Sequence, residues 1–240
     1  MEAFRSRTIA PCLLAAGLLV PSCIGRDVVD STLSEIVQIT PDRLANNLDR
    51  KRPAALDTEL RRRVIESLPK SGHVEKLTSP QRNKLASIDS VLHAHNRDSV
   101  YALRVISLPE AVVALYARSV VLISAPALSL LTAEELQAVV AHEIGHEYFW
   151  DEYLDASGRK KLAVLRKLEL WCDAISIMTL RLINADPQAL IAAVEKLDRY
   201  NLRFGTPPAE IPYPPSADRK RFMLALIDWS TRQPSPPSNE

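Results

Sequence analysis

At 240 residues, the chain has the length of one ordinary domain and enough material for a sizeable core. Its 30 basic and 29 acidic residues leave a formal net charge of +1, which excludes the basic surplus of a nucleic-acid binder and any strong steering field for a charged partner. With 6 glycines against 17 prolines and few aromatic residues, it is read as mainly helical with stiff connections.

The first residues predict an export leader. Arg5 and Arg7 supply a positive start, and the apolar stretch Ile9 to Val20 is short for a bilayer crossing. Leu19-Val20-Pro21-Ser22-Cys23 resembles the bacterial lipoprotein cleavage box, with Cys23 as the lipidated residue and Pro21 as a departure from the usual pattern. A plain signal peptide and an uncleaved anchor are the alternatives. The expected location is across the inner membrane, periplasmic or membrane-tethered. With Cys12 and Cys23 in the leader, Cys172 is alone in the rest of the chain, so no intrachain disulfide is expected.

Residues 24–98 predict helices that pack on the domain that follows. Thr40-Pro41 opens one toward Arg50. Asp57 to Leu68 repeats apolar residues at Leu60, Val64, Ile65 and Leu68, with Arg61-Arg62-Arg63 as a solvated face. Ser79-Pro80 opens a third, carrying Leu85, Ile88, Val91 and Leu92. His93 and His95 at its end, two residues apart, are read as surface histidines.

Residues 99–229 form the expected core. Ser99 to Ile106, Ala111 to Ala117 and Ser119 to Ile123 are rich in β-formers and predict three short strands, the last two a hairpin turning near Arg118-Ser119. A free edge of that sheet offers unpaired backbone groups to an extended peptide. Ala125 to Leu131 is an apolar connector. Thr132 with Glu135 then gives a capping-box pattern, opening a helix whose buried stripe is Leu136, Val139, Val140 and Ile144. His142-Glu143-Ile144-Gly145-His146 lies on it. Histidines four apart share one helix face and can reach a single metal ion, with Glu143 beside an open coordination position.

Zinc at such a site needs a third protein ligand. Gly158 to Ile183 predicts the next long helix, and on it Glu169 and Asp173 stack beside the apolar stripe that includes Cys172. Buried and unpaired they would be costly. A metal on Glu169, with Asp173 accepting the outer N–H of a ligand imidazole, removes the objection. A solvated acidic pair beside Arg166 and Lys167 is the plainer alternative. Residues 230–240 are proline-rich and read as a disordered tail.

HEIGH followed by ExxxD, with Glu169 23 residues after His146 (169 − 146), resembles the gluzincin endopeptidases related to the CAAX prenyl protease and its bacterial periplasmic and heat-shock-induced membrane relatives. The resemblance runs from about Leu85 to Leu224. It includes Ser107 to Glu110 and Val120 to Ser124 where that family has substrate-side strands, and Asp186 to Leu190 in the helix after ExxxD. It implies an α+β, mainly helical, zincin-like metallopeptidase domain. It also implies one Zn2+ held by His142, His146 and Glu169, Glu143 as catalytic base, Asp173 behind a ligand, and a polypeptide substrate. Two departures stand out. Val113-Ala114 replaces the family's Asn-Ala. Tyr213, ahead of Arg219, stands where a histidine is expected, either as a hydroxyl donor to a developing oxyanion or as a core aromatic. They motivate an alternative, a metal-stabilised envelope assembly or chaperone factor with little turnover. A cytoplasmic regulator-cleaving protease carrying HEIGH is a further reading, against which the leader argues.

Overall fold

The structure, a computed structural model, describes residues 23–38, 54–68, 72–74, 76–204, 214 and 216–232. The expected leader before Cys23, the helix from Thr40, Tyr213 and the last eight tail residues lie outside the described residues. The described chain runs α1 (Cys23–Val37), α2 (Thr58–Ser67), α3 (Ser79–Ala86), α4 (Asp89–Ala94), β1 (Ala102–Ile106), β2 (Val113–Tyr116) and β3 (Val120–Ser124). There follow α5 (Ala125–Leu130), α6 (Ala133–Tyr148), α7 (Trp150–Gly158), α8 (Leu162–Leu182), α9 (Gln188–Asn201) and α10 (Ser216–Thr231). It is mainly helical with one small sheet, as its composition predicts.

α6 is the axis of the fold. Its capping box is formed in both directions: the Glu135 N–H donates to the Thr132 hydroxyl at 3.1 Å, and the Thr132 N–H donates to Glu135 Oε2 at 2.8 Å. From Glu135 to Tyr148 every residue but Gln137 is buried, because α8, α9, α3, α4 and β2 pack around it. A helix enclosed on all sides can carry apolar residues all round. Against α8 the approach is very close. A Cβ on Gly145 would stand 2.9 Å from Cys172 Cα, so only glycine lets the two backbones meet there.

The sheet has the order β1-β3-β2, with β1 parallel and β2 antiparallel to β3. β3 is buried throughout. Val121 and Ile123 face the main core; Val120 and Leu122 face Leu68, Val64 and Ile65 at the end of α2. The hairpin turns through Ala117 and Arg118, both left-handed with φ of 46° and 51°, the pattern of a type I′ turn made without glycine. β1's outer edge is partly taken by residues 72–74, since the Val74 N–H donates to Val105 O at 3.0 Å and the Ser107 N–H to Gly72 O. β2's outer edge faces α6.

Five expectations change in detail. The helix predicted from Ser79 is two, α3 ending at Ala86 and α4 starting at Asp89. The first strand begins at Ala102 rather than Ser99. The connector after β3 is α5, because Ser124 caps it by accepting the Ala127 N–H and Pro126 sits in its first turn. The helix predicted from Gly158 starts later: a separate helix, α7, ends at Gly158, Lys160 turns left-handed with φ 52°, and α8 runs from Leu162 to Leu182. His95 is buried, not on the surface. Its Nδ1 lies 2.7 Å from the Tyr148 hydroxyl and its Nε2 2.9 Å from Thr179 Oγ1, bridging α6 and α8. Two residues apart on a continuing helix, the rings would point to different sides, but α4 stops at Ala94. His93 is exposed, as expected.

α1 lies over α8 and α10, burying Val29, Thr32 and Ile36. Its Asp30–Arg221 and Glu35–Lys167 pairs are exposed and contribute little beyond that packing. Among the described residues no helix is long and apolar enough to cross a membrane.

Candidate metal centre

His142 and His146, one turn apart on α6, turn toward α8 with their rings edge to face and centroids 5.2 Å apart. The close approach at Gly145 brings α8's Glu169 between them. Glu169 Oε2 is 3.3 Å from His142 Nε2 and 3.8 Å from His146 Nε2. The carboxylate is fully buried, and neither oxygen makes a hydrogen bond to the described residues. A buried carboxylate without donors is costly, and a cation between it and two imidazole nitrogens relieves that cost. Donor atoms of His142, Glu143 and His146 also lie within 4.8 Å of one another, so this buried group could hold a metal ion. Glu143 Oε2 already accepts the Leu115 N–H of β2 at 3.1 Å, whereas Glu169 is orphaned.

Behind His142 stands a relay of charge. Its Nδ1–H donates to Asp173 Oδ1 at 2.9 Å, so that in the neutral ring the Nε2 lone pair is left for a ligand bond. Asp173 in turn accepts Arg219 Nε at 2.8 Å and Arg219 Nη2 at 2.7 Å, a two-pronged contact from α10. Arg219 and Asp173 are both buried. Behind His146, the Cys172 thiol is 3.6 Å from Nδ1, and Tyr153 of α7 sets its ring edge to face.

These surroundings set the protonation of the metal-free protein. Burial disfavours the charged ring of His142, but the Asp173 and Glu169 carboxylates outweigh it and raise it to about 9. Burial, helped by the charge of His142, outweighs the pull of Glu169 and brings His146 down to about 4. Burial, reinforced by the charge of Glu169, pushes Glu143 up to about 8. Burial pushes Glu169 the same way, but the two imidazoles beside it hold it below the usual carboxylate range. Asp173 falls to about 2: burial opposes ionisation and the Arg219 guanidinium overcomes it.

Of the residues singled out in the sequence, His142, Glu143, His146, Glu169 and Asp173 come together; Tyr213 lies outside the described residues, and Cys23 is the first residue of α1. Sequence reasoning noted Arg219 without assigning it a role and read Cys172 as core only. The Leu115 amide, a backbone group, carries no side-chain signal at all. No protein-family model matches the chain, and no curated protein matches it.

Proposed function

We propose that the chain is a zinc-dependent endopeptidase of a zincin-like fold, as the HEIGH and ExxxD resemblance implies. The observation that carries this reading is the buried, orphaned Glu169 carboxylate against the Nε2 atoms of both helix-stacked histidines. Two neutral imidazoles and one carboxylate suit zinc, and His142, His146 and Glu169 would hold it. Zinc in such a site supplies Lewis acidity, polarising a carbonyl and making water acidic enough to ionise near neutral pH.

The protein's own residues do the rest. Asp173, fixed by Arg219, keeps His142 in the tautomer and orientation a ligand needs. Glu143 takes the proton of the attacking water and returns it to the leaving amine. Its high metal-free value reflects burial and Glu169's charge; once that charge is neutralised, Glu143 ionises more readily, as a general base must. The Leu115 N–H, directed away from β3 and toward Glu143, lies on β2's outer edge, where an extended polypeptide adds as one more strand beside the base. The leader pattern makes envelope or secreted proteins the substrates, with Cys23 as the membrane tether.

Glu143→Gln should retain zinc and lose at least ~100-fold in casein cleavage, the usual contribution of a positioned proton-transfer group. Equal cleavage by the variant and the parent refutes the assignment. Bound zinc without cleavage in the parent favours the assembly-factor alternative that the Val113 departure motivates.

A further inference from the structure

The histidines of α6 face α8, but Glu143 and Glu147 of the same helix, again one turn apart, face the β2–β3 hairpin. Glu143 accepts the Leu115 N–H of β2. Glu147, adjacent to His146 and 1% exposed, accepts Arg97 Nε on Oε2 at 2.8 Å and the Tyr101 hydroxyl on the same oxygen. Its Oε1 accepts Arg118 Nη2 at 3.3 Å. Arg118 is the second central residue of the hairpin turn, and the same Nη2 donates to Ala54 O at 2.6 Å.

That turn is an unusual one. Ala117 and Arg118 are left-handed in succession, a conformation that asparagine or glycine adopts at less cost. Such backbone persists where the surrounding structure holds it. Here the Arg118 guanidinium reaches from the strained tip to a carboxylate buried on α6. β2 is only four residues long, and a short edge strand can tilt about its partner. Two ties one helical turn apart, Leu115 to Glu143 and Arg118 to Glu147, fix both the height and the tilt of its outer edge.

We propose that Glu147 and Arg118 are a positioning pair: they hold the outer edge of β2 at a set distance from Glu143 and so determine how tightly an extended polypeptide pairs with that edge. The inference rests on the peptidase reading for its substrate. Neither residue touches the reacting atoms, so the pair governs substrate affinity rather than the chemical step.

Arg118→Asn keeps a residue tolerant of the left-handed turn and removes the reach to Glu147; Arg118→Lys keeps one donor. Amide hydrogen exchange at Leu115 in the metal-free protein reads the clamp without turnover, and KM and kcat on quenched-fluorescence casein read its consequence. Arg118→Asn is expected to speed Leu115 exchange about tenfold, from a looser edge. It should raise KM about tenfold with kcat within about twofold and zinc content unchanged, and Arg118→Lys should fall between. If Arg118→Asn does not fold, Arg118→Lys carries the same test with smaller shifts. Parental Leu115 exchange in a folded variant overturns the clamp, and so does a defect carried by kcat alone. A parent protein that cleaves nothing sinks the peptidase reading and the substrate half of this one, while Leu115 exchange still decides the clamp.

Discussion

Arg219→Met tests the charge relay behind His142. Arg219 is 3% exposed and makes two short bonds to Asp173, which is fully buried. Methionine fills much of the volume but leaves the Asp173 carboxylate with His142 as its one remaining partner of opposite charge in this cluster. Breaking a buried pair from one side costs roughly 3–5 kcal/mol. For a domain of this size each kcal/mol moves Tm by about 2–4 °C, so the metal-free variant should melt roughly 6–20 °C lower. A second effect follows from orientation. Asp173 less firmly held is a weaker acceptor for His142 Nδ1–H, and losses of this kind lower metal affinity about 10–100-fold. Thermal unfolding followed by circular dichroism reads the first effect, and zinc titration against a chelating dye the second. Arg219→Lys keeps the charge but cannot make both bonds, so it should fall between. Refutation would be a metal-free Arg219→Met protein that melts within about 2 °C of the parent and binds zinc equally well.

Two further predictions concern the metal helix. In the metal-free protein His142 is raised to about 9, so its stabilising charge is fully present below the unfolded value near 6.5 and is lost as pH rises through about 9. The metal-free protein should therefore lose stability across that window. A ligand histidine must give up its proton, so zinc binding at pH 7 should release at least one proton, and affinity should rise with pH toward 9. Calorimetry in two buffers of different ionisation heat measures this, and binding heats independent of buffer contradict it. Gly145→Ala would place a methyl 2.9 Å from Cys172 Cα. Overpacking of about 1–3 kcal/mol is then set against a helix-propensity gain of about 1 kcal/mol, so zinc affinity is the more telling readout. It should fall as α8 carries Glu169 away from the histidines; unchanged affinity means the close approach does not set the site.

What could be read from the sequence follows the range of each signal. The α6 capping box and the histidine pair are patterns within a few residues; the box is closed and the two rings lie together on one face of the helix. Glu169 and Asp173 were legible because carboxylates beside an apolar stripe demand partners: Asp173 has His142 and Arg219, and Glu169 stands against the two imidazoles without a hydrogen bond. Ser124 and Pro126 carry a helix-start signal inside the apolar connector, too short a stretch for periodicity to reveal. The break at Lys160 was invisible: a left-handed residue that is not glycine leaves no compositional mark. Likewise, β1 pairs in parallel with β3 rather than with its sequence neighbour, which periodicity cannot foretell. Arg219 reaches Asp173 from another helix, Leu115 acts through its backbone, and Glu147 meets its partners from the α4–β1 connection and the hairpin turn, both distant in sequence.

The most direct test is metal analysis of purified parent protein beside Glu169→Gln, which keeps the shape and removes the charge. The parent should carry one zinc per chain and the variant little or none, with both folded. A variant that retains the parent's zinc at the same affinity would show that the ion, if bound, is held without Glu169, and the two-helix metal centre proposed for this chain would be wrong.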